Sequence, residues 1–330
     1  MKRALLIINP ISGTRSKQGL EELVNKRLNK SGISVETFIT KGSGDAYHAS
    51  KNAAESGVVI VISAGGDGTV NEVANGISHT QCCMGILPYG SGNGLARSLG
   101  IPQDTSEALK VIEAQHVLKS DRGISNKLQF YCTFGIGFDA TVSEKFASMK
   151  KRGRVTYIRS AFREYLNYRS QAYALVIEGK TITEKALLIA VCNAPQYGNN
   201  AYIGPKAKLT DGLLDITVVH ADNPFSTMIM GVDLMTGMID RNRSIESFRA
   251  PSVTIVRKDP GPVHLDGEPM QMGKIINIEC EKKALNVYAP EKELVFRPFI
   301  SPIRAMLDDM RYDVMEKFRQ MDKFSLYNRK

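Results

Sequence analysis

The sequence predicts an α/β N-terminal domain on a parallel sheet, residues 1–122, followed by a C-terminal antiparallel β-sandwich domain, residues 123–296. Three observations carry this prediction. In the first third, apolar runs alternate with helical periodicity, as in a parallel sheet covered by helices. Beyond about residue 122, strand-like runs crowd together and helices become few, as in a sandwich. Three of the first four strands also run straight into turns rich in glycine, serine and asparagine, where an open α/β sheet binds its ligands.

In chain order, residues 3–8, 34–39, 58–64 and 84–87 read as strands, with helical patterns over 17–30, 45–56 and 69–77 between them. The run 58–64 is Val- and Ile-rich and bounded by glycines, so it is expected to be buried on both faces. Asp104, with Glu107 three residues on, opens a further helix ending near Ala114. In the second half, strands are expected over 128–134, 172–178, 186–192, 213–219, 252–256, 275–280 and 285–289, with helices near 139–148, 154–168 and 224–238. The last thirty residues repeat Ile303, Met306, Leu307, Met310, Val314, Phe318, Met321 and Phe324 at spacings of mostly three and four, an amphipathic helix. Acidic residues on its polar face favour packing of the tail 297–330 on the first domain, or on a second subunit of a homodimer, over membrane insertion.

The length, 330 residues, suffices for two cores. A net charge of +9 favours anionic partners: phosphorylated ligands, an acidic membrane surface or nucleic acid. No RNA-binding signature, zinc-finger spacing or aromatic-interleaved basic stripe occurs, so nucleic acid is set aside. Five cysteines without metal-ligand spacing read as reduced thiols of a cytoplasmic protein. Five scattered histidines form no ligand pair, which argues against a His-based metal site. Lys2 and Arg3 precede only five apolar residues, too few for a signal-peptide core. No apolar stretch reaches spanning length, so any work at a membrane is expected from its surface. Lys150, Lys151, Arg152 and Arg154, continuing to Arg159, Arg163 and Arg169, read either as a basic face resting on anionic headgroups or as a solvated helix face.

The chemistry concentrates in turns. Gly65, Gly66 and Gly68 let backbone amides approach a phosphate, and the helix opening at Thr69 adds its positive end. Asp67 stands alone among them. A carboxylate facing a polyphosphate is repulsive unless a cation lies between, which implies Mg²⁺. Asn9-Pro10-Ile11-Ser12-Gly13 and Gly90-Ser91-Gly92-Asn93-Gly94 follow the first and fourth strands and would line the same crevice. There is no G-x-x-x-x-G-K-[ST], and Tyr89 stands where a hydrolase nucleophile elbow needs glycine. Gly135 to Ala140 fits a loose dinucleotide pattern but reads as a strand-to-helix turn in the strand-rich half. In His264-Leu265-Asp266-Gly267-Glu268-Pro269 two carboxylates flank a glycine, giving either a general base of raised pKa or a plain acidic turn. Asp211, in the run 208–215, could hold a hard cation or simply form a D-G turn.

Taken together, NPISG at 9–13, GGDGTVNE at 65–72, GSGNGLA at 90–96, FGIGFDA at 134–140, LTDGLLD at 209–215 and LDGEP at 265–269 resemble the diacylglycerol kinase catalytic family. That family includes bacterial diacylglycerol kinases and sphingosine kinases and is related in fold to NAD kinases. GGDGT is shared with NAD kinases and phosphofructokinases, whereas the later motifs narrow the resemblance to lipid kinases. The resemblance implies ATP bound between the domains by Asn9, Pro10, Ser12, Gly13, Thr40, Gly65, Gly66, Asp67, Gly68, Thr69, Asn71, Glu72, Ser91, Gly92 and Asn93. Glu268 matches the proton acceptor, with Asp266 as its rival. Asp211, with the Lys208 and Leu213 carbonyls, matches a structural Mg²⁺ loop, and catalytic Mg²⁺ would be shared with the acidic network that includes Asp67. Ser91-Gly92-Asn93-Gly94 departs from the bacterial Thr-x-Asn-Asp form toward sphingosine kinases.

The expected activity is transfer of the ATP γ-phosphate to a hydroxyl of diacylglycerol or a sphingoid-type lipid by a cytoplasmic, peripherally membrane-associated enzyme. A soluble-substrate kinase of the NAD kinase type shares GGDGT but has no need of LDGEP. A nucleotide-binding sensor has no need of a base.

Overall fold

The structure is a computed structural model and describes residues 2–148, 168–220, 231–292 and 296–327. Four parallel strands open it: β1 (Lys2–Ile8), β2 (Ile33–Ile39), β3 (Ile60–Gly65) and β4 (Cys83–Pro88), in the order β2-β1-β3-β4. Helices α1 (Leu20–Asn29), α2 (Asp45–Glu55), α3 (Asp67–Ile77), α4 (Gly94–Ser98) and α5 (Thr105–Ala114) follow the strands. The chain order reverses between β1 and β3, so a switch-point crevice opens beyond their carboxyl ends. Every residue of β3 and β4 is buried, as continuous apolar runs require between two helical layers. Asp104 caps α5 as expected, accepting from the Ser106 and Glu107 amides at 2.9 and 3.1 Å.

The second half adds β5 (Val117–Ser125), β6 (Leu128–Phe130), β7 (Thr133–Gly137), α6 (Phe138–Ser148), β8 (Gln171–Ile177), β9 (Lys180–Ala186), β10 (Leu188–Cys192), β11 (Leu214–Val219), β12 (Ile245–Ala250), β13 (Ser252–Arg257), β14 (Gly261–Leu265), β15 (Glu268–Met272) and β16 (Ile275–Tyr288). A six-stranded sheet runs β12-β11-β10-β7-β14-β15, with all its pairings antiparallel. Facing it, β16, β13, β8 and β9 continue the first sheet, because β16 pairs parallel with β4 through Asn286↔Cys83 and Val287↔Met84. A parallel α/β sheet and an antiparallel sandwich are therefore both present, joined through one strand.

That strand is a single element where the sequence suggests two. Its first part places Ile276 and Ile278 in the sandwich core, and its last part places Leu285 and Val287 in the α/β core. The break between them is a bulge at residues 281–285, where Lys283 adopts φ 54° and its amide is satisfied by Asp121 Oδ1 at 2.7 Å. Likewise the expected strand 128–134 is two strands, interrupted at Tyr131 and Cys132, whose amides turn to a side chain instead of a ladder. All but the last residue of the helix expected at 154–168, and the basic stretch up to Arg163, lie outside the described residues, as does the first half of the helix expected at 224–238.

The tail forms α7 (Ile300–Tyr327). Its tethers are polar: Asp309 pairs with Arg97 at 3.0 Å and accepts from Asn200 at 3.2 Å, while Tyr312 meets Arg15. The apolar residues Ile303, Met306, Leu307, Met310 and Val314 are exposed, so the amphipathic stripe faces outward. Among the described residues no helix is long and apolar enough to cross a membrane.

Ile62 in the middle of β3 is fully buried, so Ile62→Ala removes three carbons from a close-packed layer. The variant is expected to lose about 2–5 kcal/mol in a urea melt, with the slope of the transition unchanged.

Candidate active site

The three turns predicted to cradle phosphate converge at the ends of β1, β3 and β4. Asn9 donates through Nδ2 to Thr69 Oγ1 at 3.0 Å, crossing the switch point. A Cβ on Gly13 would stand 1.8 Å from the Tyr89 carbonyl oxygen, and one on Gly90 would stand 2.6 Å from Gly66 Cα. The backbones thus touch, which only glycine permits at those positions. Ser12 turns its hydroxyl to the Asn9 carbonyl at 3.1 Å, Ile11 N–H donates to Asn9 Oδ1, and Pro10 holds the exposed bend between them. Thr40 is buried, its amide donating to the Ile8 carbonyl at 2.9 Å. Ser91 is exposed at the rim beside Gly92.

Asp67 differs from its expected part. Helix α3 starts at Asp67, two residues earlier than the periodicity suggests, with Gly66 as its cap. The carboxylate turns across to the neighbouring turn and accepts the Asn93 amide at 2.9 Å and the Gly94 amide at 2.6 Å. Burial pushes this carboxyl up against the pull of those amides. Asp67 therefore fastens one glycine turn to the other, which accounts for a lone acid among glycines without a cation. Asn93 is likewise engaged within the protein: it closes the turn through Gly90 N–H and C=O and donates to Gln103. Glu72 accepts from the Gly44 amide at 2.8 Å and the Ala46 amide at 3.1 Å, holding the start of α2 to α3.

From the second domain comes the β14–β15 hairpin, with Leu265 paired to Glu268 and a two-residue loop of Asp266 and Gly267. Both loop residues have positive φ, 50° and 85°, the type I′ geometry that Asp-Gly favours. Asp266 points inward and accepts the amides of Tyr131, Cys132 and Thr133 at 2.7, 2.8 and 2.8 Å. A fourth bond at 3.0 Å comes from Asn71 Nδ2 on α3, linking the hairpin to the glycine corner. Burial raises this carboxyl too, opposed by all four donors. Glu268 is exposed at the hairpin's exit and has no hydrogen-bond partner among the described residues. Its Oε1 lies 2.9 Å from where a Cβ on Gly68 would stand, so the acid of one domain rests on the glycine turn of the other. Desolvation by the surrounding chain raises its carboxyl, and the charges of Asp266, Glu72 and Asp67 raise it further.

Several supporting residues lie outside the sequence-based set. Buried His264 faces Asp139 at 3.1 Å through Nε2 and accepts the Gly267 amide at 3.3 Å through Nδ1. Tyr197 donates to the same Asp139 at 2.9 Å. Gly135 must be small because His264 and Asp139 fill the space a Cβ would need, which explains the Gly135–Asp139 motif as support for the hairpin. Arg15 stacks between Tyr89 and Tyr312, and Lys17 donates to the Ser12 carbonyl at 2.6 Å, so two cations flank the first turn. Burial, and then Arg15, lowers the Lys17 ammonium.

The predicted cation loop is built differently. Asp211 accepts the Leu213 amide at 3.1 Å with one oxygen and meets the Arg249 guanidinium with the other, and Arg249 also reaches Asp215 at 3.5 Å. Lys208 makes no such contact among the described residues. Asp121 secures the loop, accepting Gly212 N–H at 2.7 Å. With a guanidinium already across both carboxylates, this donor set does not fit a metal ion as it stands. A separate depression of about 360 Å³ lies between Tyr168, Tyr173 and Arg257 and shares no residue with the cleft.

Parallel strands ending in amide-rich turns, met by an acid from a second domain, define a phosphate-handling enzyme built across two domains. Comparison with known proteins agrees. Residues 3–123 match the diacylglycerol kinase catalytic domain, and residues 133–289 match the YegS C-terminal NAD kinase beta sandwich-like domain. A diacylglycerol kinase of Staphylococcus aureus is 31% identical over 227 residues, 67% of this chain and 72% of that one. A diacylglycerol kinase of Bacillus subtilis is 28% identical over 286 residues, covering 84% and 94%. A crystal structure of a candidate diacylglycerol kinase from Bacillus anthracis superposes with TM-score 0.75 at 27% identity, covering 89% and 97%. The chain belongs to the family of diacylglycerol kinases and YegS-like lipid kinases.

The two hairpin acids separate by experiment. Asp266→Ala orphans three amides and Asn71 and is expected to cost about 2–3 kcal/mol in a denaturant melt. Glu268→Gln, exposed and unbonded, is expected to melt within about 0.5 kcal/mol of wild type.

Proposed function

We propose that this chain is an ATP-dependent lipid kinase that phosphorylates a hydroxyl of diacylglycerol or a sphingoid-type lipid. The observation that carries the reading is Glu268, a raised, open carboxylate set against Gly68 of the phosphate turn. A lipid hydroxyl is a weak nucleophile and needs a base within reach as the phosphoryl group moves. The hydroxyl oxygen bonds to the γ-phosphorus, its proton passes to Glu268, and the bond to the ADP oxygen breaks. Asp266 accepts four hydrogen bonds already, so it serves as the positioning residue that aims Glu268.

ATP would enter as its complex with a divalent ion, Mg²⁺ by family resemblance, which would neutralise charge on the phosphates as the γ-phosphoryl group transfers. The chain's own part is positioning: amides at the α3 start, with those of Gly13, Ser91 and Gly92 that the two neighbouring turns do not spend on Asn9, Asn93 or Asp67, would cradle the anion, with Arg15 and Lys17 beside the first turn. The names of the Staphylococcus and Bacillus relatives favour diacylglycerol, giving phosphatidic acid. The outward apolar stripe of α7, tied through Asp309 and Tyr312 to Arg97 and Arg15, supports an enzyme that meets its substrate at a membrane surface.

A labelled-ATP assay over diacylglycerol, sphingoid base, ceramide, polyprenol and NAD tests the proposal. Labelled lipid is expected and labelled NADP is not; label in NADP alone overturns it. Glu268→Gln is expected to lower kcat by roughly 10²–10⁴-fold while ATP binding is retained.

The base must be ionised, and its pKa is raised, so the acid limb of kcat/KM is expected above the ordinary glutamate value of about 4.3. A pH–rate profile checks this: activity falls as pH drops through the raised value, and the residual rate of Glu268→Gln lacks that limb.

A further inference from the structure

Away from the cleft, three ligand-type side chains meet at a corner of the sandwich. Glu184 lies on β9, the edge strand of the long sheet; Glu246 lies on β12, the edge strand of the six-stranded sheet; His220 follows β11. One ligand atom from each falls within 4.8 Å of the other two. We propose that these residues form a site for a divalent transition metal, Zn²⁺ by its donor set, that clips the two sheets together.

The imidazole is already oriented for this. Nδ1 is 3.0 Å from the Lys185 carbonyl, which can only accept, so Nδ1 carries the proton and Nε2 presents a lone pair in the neutral ring. A carbonyl behind a histidine in this way is the usual outer support of a metal ligand. Nε2 is buried and has no hydrogen-bond partner among the described residues. It stands 3.9 Å from Glu184 Oε2 and 3.8 Å from Glu246 Oε1, too far for hydrogen bonds. Those same separations leave room for an ion: a point equidistant from the three atoms is roughly 2.2–2.5 Å from each, close to the 2.0–2.2 Å of Zn–N and Zn–O bonds.

The mixed donor set selects the ion. Mg²⁺ and Ca²⁺ take oxygen ligands, whereas one imidazole and two carboxylates suit Zn²⁺. Glu246 is half exposed, which leaves a fourth position open to water. The site sits at the opposite end of β11 from Asp215, and none of its three residues belongs to the cleft described above.

The test uses the full chain stripped with chelator, loaded with Zn²⁺, passed through a desalting column and assayed for bound metal. Wild type is expected to keep one Zn²⁺ per chain and to gain ~5 °C in melting midpoint. His220→Ala and the surface variant Glu246→Gln are each expected to bind at least about tenfold more weakly. Co²⁺ is expected to give a visible absorption band that His220→Ala lacks. Glu246→Gln, which perturbs only an exposed side chain, is expected to melt like wild type in chelator. Failure of the wild type to retain metal, or equal retention by both variants, overturns the proposal.

Discussion

The hydrogen bonding of one buried carboxylate, Asp266, holds the cleft together. A strand broken at Tyr131 and Cys132 leaves three successive amides without ladder partners, and Asp266 satisfies all three. Because Asp266 sits in a two-residue hairpin loop, that fastening also fixes the exit of the hairpin, where Glu268 stands. The fourth bond, from Asn71, comes from the helix that opens at the glycine corner. Breaking it would free the hairpin from α3 without unfolding either element.

The buried carboxylates divide the work by the number of donors each meets. Asp67 and Asp266 each carry a desolvation penalty, and each offsets it with main-chain amides from a neighbouring segment. They bind loop to loop and have little left to offer a substrate. Glu268 shares the electrostatic strain of that neighbourhood but has no donor to relieve it among the described residues. An open carboxylate of raised pKa set against a glycine turn is the arrangement the proposed proton transfer requires.

Much of this was legible in the chain. The four parallel strands, the capped α5 and the three turns follow from Val/Ile runs and punctuating glycines. Less legible were β5, β9, β12 and β15, whose burial patterns mix exposed and buried positions because they lie toward sheet edges or bridge two cores, and β14, a five-residue strand opened by Gly261 and Pro262. The role of Asp67 was hidden for a different reason. Its partners are backbone amides of Asn93 and Gly94, 26 and 27 residues away, and amides leave no mark in a sequence. The support that His264 and Asp139 give the hairpin was present as a motif, but only packing shows that Gly135 makes room for both.

Charge compensation at the Asp211 loop shows how residues can substitute for an ion. Asp211 and Asp215 flank a tight turn, as a cation loop would, yet Arg249 sits directly opposite Asp215 on the next strand and bridges both. A guanidinium supplies fixed positive charge and planar donors without the cost of stripping water from a small divalent ion. Arginine in that register therefore supplies the charge that the turn alone would draw from solution. At the far end of the same strand the situation is reversed. His220 faces two glutamates with no arginine or lysine within salt-bridge distance among the described residues, so the negative charge there has only the imidazole to offset it. The two ends of β11 thus present acidic clusters of similar size, and what separates them is the presence or absence of one cross-strand cation.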